Sequence, residues 1–131
     1  MRYRLADIPA LLRTPVGRAA VRGGVLHRTW PLLARLAMGY RATLVRRTRV
    51  VAVVGTFGKT TTARAVTIAL GNDPGPNIPG NAFAAAAREV LRIRPRDRRA
   101  VIEIAISRPG LMRTYARMVH PDVAVVTSVG S

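Results

Sequence analysis

The segment Val50-Val51-Ala52-Val53-Val54, followed directly by Gly55-Thr56-Phe57-Gly58-Lys59-Thr60-Thr61-Thr62, constrains this chain more than any other. Five β-branched or small apolar residues in a row mark a strand buried on both faces of a parallel sheet. Two glycines three positions apart then allow an open turn, and Thr60–Leu70 has the composition of a helix, ended by Gly71. A strand, a glycine turn, Lys-Thr and a helix in that order form the setting of a phosphate-binding loop. Successive amides and the positive end of the helix hold phosphate oxygens, a lysine reaches the outer phosphates, and a hydroxyl ligates Mg²⁺. The residues assigned to phosphate are Gly55, Thr56, Phe57, Gly58, Lys59, Thr60 and Thr61, with Lys59 also the catalytic candidate and Thr60 also a metal ligand. Val53 stands where the general G-x-x-x-x-G-K pattern has its first glycine, which separates this loop from those of signal-recognition-type GTPases and many motor ATPases.

The remainder extends the same architecture. Residues 72–80 form a Pro/Gly loop, and Asn81 is placed to cap a helix through Leu91 with Phe83, Ala86, Ala87, Val90 and Leu91 inward. Ala100–Ile106 reads as a second strand. Ser107 caps a third helix with Leu111, Met112, Tyr115, Met118 and Val119 inward, and Asp122–Thr127 reads as a third strand. The order β-α-α-β-α-β predicts an α/β fold, a parallel-sheet P-loop nucleotide-binding domain over 49–131. Three strands make a narrow sheet with open edges, so the chain is expected to be the front part of a larger protein.

Residues 1–48 read as a short basic helical leader, cut into pieces by Pro9, Pro15, Gly23-Gly24, Pro31 and Gly39. Leu26, Trp30, Leu33, Ala37 and Tyr40 recur at helical spacing, with Arg28, Arg35 and Arg41 between them on a basic polar face. Two readings follow: a helix packed on the domain, which is favoured, or a peripheral contact with a membrane surface. No stretch reaches the length of a transmembrane helix.

Charge enters here. The formal net charge is +16, from 22 Lys and Arg against 6 Asp and Glu, and every basic residue but Lys59 is Arg. The excess is densest in residues 1–49, with a second cluster at Arg92, Arg94, Arg96, Arg98 and Arg99. It suits an anionic partner, and part of it reflects Arg-for-Lys usage. No zinc-finger spacing or stacking aromatics point to sequence-specific nucleic-acid binding. The absence of cysteine excludes disulfides and thiolate metal sites and fits a cytoplasmic location.

Glu103 is the only acid inside a buried-looking strand. It reads either as a Mg²⁺ ligand or as the partner of an arginine. Asn81 serves equally as a helix cap or as a substrate or phosphate contact, and Thr127 and Ser128 stand at a strand's carboxyl end, where open α/β sheets bind ligands. Arg108 reads as solvated, and His27 and His120 as structural.

Four segments together resemble the Mur ligase family. GTFGKTTT after VVAVV is similar to its ATP-binding loop, and Asn77-Ile78-Pro79-Gly80-Asn81 to its Pro-Gly-Asn segment. Residues 102–110 resemble the strand bearing the family's magnesium-binding glutamate, here Glu103, and residues 120–130 the stretch that follows, with Ser128 where the family often has Asn. The D-alanyl-D-alanine-adding branch is the most similar in texture. The resemblance implies an ATP- and Mg²⁺-dependent carboxylate–amine ligase in peptidoglycan precursor synthesis, working through an acyl phosphate at the cytoplasmic side of the membrane. Its substrates would be ATP, a muropeptide carboxylate and an amino acid or dipeptide amine. Poly-γ-glutamate and cyanophycin-type ligases share the loop, so an amino-acid polymer is the alternative carboxylate. Other classes remain: a partition-type ATPase switch, or a non-enzymatic basic module docking on membrane. The family's further metal, adenine and amino-acid sites would lie beyond Ser131, so this 131-residue chain is expected to show no ligase turnover by itself.

Overall fold

The computed structural model describes residues 13–75, 82–105 and 110–129, with backbone alone for 16–28, 82 and 83. Four helices and three strands are present among them: α1 (Pro15–Ala42), β1 (Arg49–Val54), α2 (Lys59–Ala69), α3 (Ala82–Arg92), β2 (Arg99–Glu103), α4 (Met112–Val119) and β3 (Val123–Val126). The sheet is open and all-parallel in the order β2-β1-β3. β1 is therefore central. It pairs with β2 from Arg49↔Arg99 to Val53↔Glu103 and with β3 from Val51↔Val123 to Val54↔Val126.

Alternation along β1 divides the packing. Val50 and Ala52 join Ile102, Ile104, Ala86, Ala87, Val90, Tyr115, Met118 and Val119 in one core beneath α3 and α4. Val51 and Val53 point to the opposite face, where α2 lies against β1 and β2. α1 forms an outer layer against α3 and α4. Its buried residues Ala34 and Ala37 belong to the same core as Ala86, Ala87 and Val90 of α3, and small side chains let two helix backbones approach closely. The Tyr40 hydroxyl donates to the Ile93 carbonyl at 2.6 Å. Burial of Tyr115, whose hydroxyl donates to the Ala105 carbonyl at 3.0 Å, raises its pKa above the ordinary tyrosine value.

The structure corrects the sequence reading in several places. From Pro15, where it begins, α1 is not cut into pieces: it runs unbroken for 28 residues through Gly23-Gly24, Pro31 and Gly39, while Pro9 lies outside the described residues. A glycine costs a helix only about 1 kcal/mol, and packing of one face against α3 and α4 outweighs local propensity. Arg41, assigned to the polar face, is buried, with only 5% of its surface exposed. Spacings of three, four and four put Ala34, Ala37, Arg41 and Val45 on one buried line. Met112 points out to solvent, not inward. β2 ends at Glu103, because its neighbour β1 gives way to the glycine turn; the Ile104 amide makes the last bond, to the Val53 carbonyl at 2.9 Å. The predicted caps Asn81 and Ser107 lie outside the described residues. The favoured reading of the leader, a helix packed on the domain, is what α1 does. β3 forms an open edge with Val123 and Val126 exposed, and among the described residues no helix is long and apolar enough to cross a membrane.

Candidate functional site

β1 ends at the middle of the sheet, so the turn that follows it opens between the ends of both neighbouring strands. Two glycines shape that turn. Gly55 has φ +140°, and a side chain there would run into the Thr127 hydroxyl and come within 2.9 Å of the Ser128 backbone. Gly58 adopts the left-handed conformation (φ 76°) immediately before α2. Both conformations are ones that a residue with a Cβ avoids.

β3 holds the turn in place. The Thr56 amide donates to the Ser128 carbonyl at 3.0 Å, and the Thr127 amide to the Val54 carbonyl at 2.9 Å. The Thr127 hydroxyl donates to the Phe57 carbonyl at 2.6 Å. Ser128 Oγ accepts from the Phe57 amide at 2.9 Å and lies 3.3 Å from the Phe57 carbonyl. Thr127 and Ser128 therefore spend their hydroxyls on shaping the turn, a positioning role that the sequence reading did not assign.

With the Phe57 amide engaged, the next amides belong to the start of α2. No side chain caps this helix, no acid stands in its first turn, and its first amide to bond is that of Thr62, to the Gly58 carbonyl at 2.9 Å. Among the described residues the amides of Gly58 to Thr61 make no such bond, which leaves a group of donors at the positive end of a helix dipole. Lys59 folds back over the turn, its Nζ donating to the Thr56 carbonyl at 3.0 Å. Phe57 projects into solvent with 76% of its surface exposed.

Glu103 ends β2 beside Val53, two residues before the turn. Its neighbours Ile102 and Ile104 enter the core under α3 and α4, so alternation turns Glu103 to the α2 face. It is half-buried. The ion pairs among the described residues are Arg41–Asp122 and Arg92–Glu89, so the arginine partner considered for Glu103 is not formed there. No group of three or more His, Cys, Asp or Glu gathers among the described residues. A Mg²⁺ ion bound largely through phosphate oxygens and water needs only one or two protein ligands, so one carboxylate and one hydroxyl fit it.

Thus Gly55 to Thr61, Thr127, Ser128 and Glu103 lie at one end of the sheet, while Asn81 and Arg108 lie outside the described residues. A cleft of about 470 Å³, lined by Thr67, Asp73, Glu89, Asp97 and Arg99 among others, holds none of these residues.

One buried polar cluster was not foreseen. Arg41 Nε donates to the Val119 carbonyl at 3.1 Å, Nη1 to Val45 at 2.7 Å, and Nη2 to His120 at 3.1 Å and to Asp122 Oδ2 at 3.4 Å. The guanidinium thereby closes the carboxyl end of α4, where a cation is favoured. The spacing of Arg41 from Ala34, Ala37 and Val45 carries the signal that could have revealed it. Comparison with family models, with curated protein sequences and with solved structures finds no match to this chain.

Proposed function

We propose that the turn from Gly55 to Thr61 is a P-loop binding the phosphates of ATP with Mg²⁺, and that the chain is the ATP-binding portion of a carboxylate–amine ligase resembling the Mur ligases. The observation that carries the nucleotide reading is the uncapped start of α2 behind a glycine turn, with Lys59 folded over it. The ligase reading rests on the four resembling segments at residues 50–62, 77–81, 102–110 and 120–130.

In this reading the α2 amides receive phosphate oxygens, and Lys59 adds a mobile ammonium charge where the γ-phosphate carries most charge. Thr60 and Glu103 are the residues that would hold Mg²⁺. When bound, the ion supplies charge screening to the phosphates. Phosphoryl transfer to a substrate carboxylate is then mostly a matter of positioning and electrostatic stabilisation, and Thr127 and Ser128 contribute by keeping the turn in shape. The partners of the reaction are a muropeptide or amino-acid-polymer carboxylate and an amino acid or dipeptide amine, on the cytoplasmic side of the membrane.

Titration of the chain with a fluorescent ATP analogue in the presence of Mg²⁺ tests the nucleotide reading. Saturable binding is expected, weakened at least about tenfold by Lys59→Ala with no change in the thermal melt. Glu103→Gln should raise the Mg²⁺ concentration needed while leaving metal-free binding alone. Absence of saturable binding, or equal affinity in Lys59→Ala, would overturn the reading.

A further inference from the structure

We infer that the end of the sheet opposite the glycine turn, together with the outward face of α1, docks on an anionic lipid bilayer. Parallel pairing places the starts of β1 and β2 side by side. Arg49 is the register partner of Arg99, its amide donates to the Arg98 carbonyl at 2.9 Å, and the Thr48 hydroxyl donates to the Asp97 carbonyl at 2.7 Å. Two arginine clusters far apart in sequence thus converge. Arg46 and Arg47 lie on the turn before β1, and Arg94, Arg96, Arg98 and Arg99 lead into β2. All six are exposed, and none is in an ion pair among the described residues. The nearby carboxylate of Asp97 accepts the Arg94 amide at 2.8 Å.

The second observation is apolar. α1 buries one face against α3 and α4 and leaves another outside, on which Leu32 and Leu36 are 60% and 57% exposed one helical turn apart. Gly39 and Thr43 continue that line with small residues, and Leu44, 61% exposed, stands in the turn that leads to Arg46 and Arg47. Exposed leucines bordered by arginines are the pattern of a surface that enters the headgroup layer without crossing it.

Charge complementarity selects the occupant. No acid occurs between Asp7 and Asp73, so α1, its turn and β1 present positive charge with no negative counterpart in that span. Such a field suits a continuous anionic array, which attracts arginines held close to its surface. A nucleic acid would satisfy the arginines but offers no apolar layer to the leucines. The six residues of β1 separate this rim from the glycine turn by about 20 Å, so docking leaves the turn open.

Co-sedimentation of the full chain with vesicles of phosphatidylcholine alone or mixed with phosphatidylglycerol tests the inference, with duplex DNA as a parallel ligand. Binding is expected to the mixed vesicles and to be weak on the neutral ones. Arg96→Gln with Arg98→Gln should weaken it at least about tenfold. Leu32→Ser with Leu36→Ser should weaken vesicle binding several-fold, leave DNA binding unchanged and leave the ATP-analogue titration unchanged, which separates this inference from the nucleotide reading. Circular-dichroism melts of these exposed-site variants check that the fold is kept. Equal binding to both kinds of vesicle, or a leucine pair that binds mixed vesicles like the parent chain, would overturn it.

Discussion

At its amino end β1 is joined to β3 through Asp122, whose carboxylate accepts the Val50 amide at 2.7 Å and the Arg41 guanidinium at 3.4 Å. At its carboxyl end the same two strands are joined through Thr127 and Ser128, whose hydroxyls bond the backbone of Phe57. The first junction contains a buried cation with four oxygen partners, and the second is made of neutral hydroxyls at the surface. A buried charge cannot lose its partners without a large penalty, whereas water can replace a surface hydroxyl at small cost. One end of the strand therefore carries folding stability, and the other can change shape at small cost.

Removing Arg41 should break the first junction with the largest effect. Arg41→Ala leaves the Val45, Val119 and His120 carbonyls without this donor and opens a cavity against α4, so it should cost about 3–5 kcal/mol in chemical denaturation. Small domains hold only about 5–15 kcal/mol, so a sizeable share of the chain would unfold at physiological temperature. Arg41→Met, which keeps volume and removes the charge, should cost less. A loss below about 1 kcal/mol in Arg41→Ala would mean that the two junctions do not differ in kind.

Gly55→Ala comes next and strikes the second junction from the backbone side. The added methyl would meet the Thr127 hydroxyl, which can rotate, and the Ser128 backbone at 2.9 Å, which cannot move without disturbing the ladder to Val54. Together with φ +140°, the expected cost is about 2–3 kcal/mol. The effect should be lopsided. The ATP-analogue titration should be lost almost completely while Arg41 still anchors the other end, so the thermal transition remains cooperative. Gly55→Ala with unchanged nucleotide binding would show that the turn tolerates a different shape.

The same contrast separates what was legible in the sequence from what was not. Val50–Val54, the two glycines, Lys59 and the stop at Gly71 act through their own backbone and nearest neighbours, so strand, turn and helix could be read in order. Thr127 and Ser128 could be placed at a strand end, but not their hydroxyls on a carbonyl 70 and 71 residues away. Arg41 is the sharper case. Its type suggests solvent, and only its line with Ala34, Ala37 and Val45 opposes that. The deciding partners, the carbonyls that end α4, are 78 and 79 residues distant. Convergence of the arginine clusters was hidden for a related reason, since it follows from β1–β2 register and not from either cluster.

The smallest expected effects test the hydroxyls. Thr127→Val keeps the branched shape and removes the donor to the Phe57 carbonyl at 2.6 Å, so it should cost about 1 kcal/mol. Ser128→Ala loses a contact that water can supply, and about 0.5 kcal/mol is expected. Each should weaken ATP-analogue binding only about two- to fivefold, through loosening of the turn and not through a lost ligand contact. The comparison with Lys59→Ala decides the assignment. If Ser128→Ala weakened nucleotide binding as much as Lys59→Ala while leaving stability unchanged, its hydroxyl would be touching the ligand. The junction at the carboxyl end of β1 would then be part of the binding surface itself.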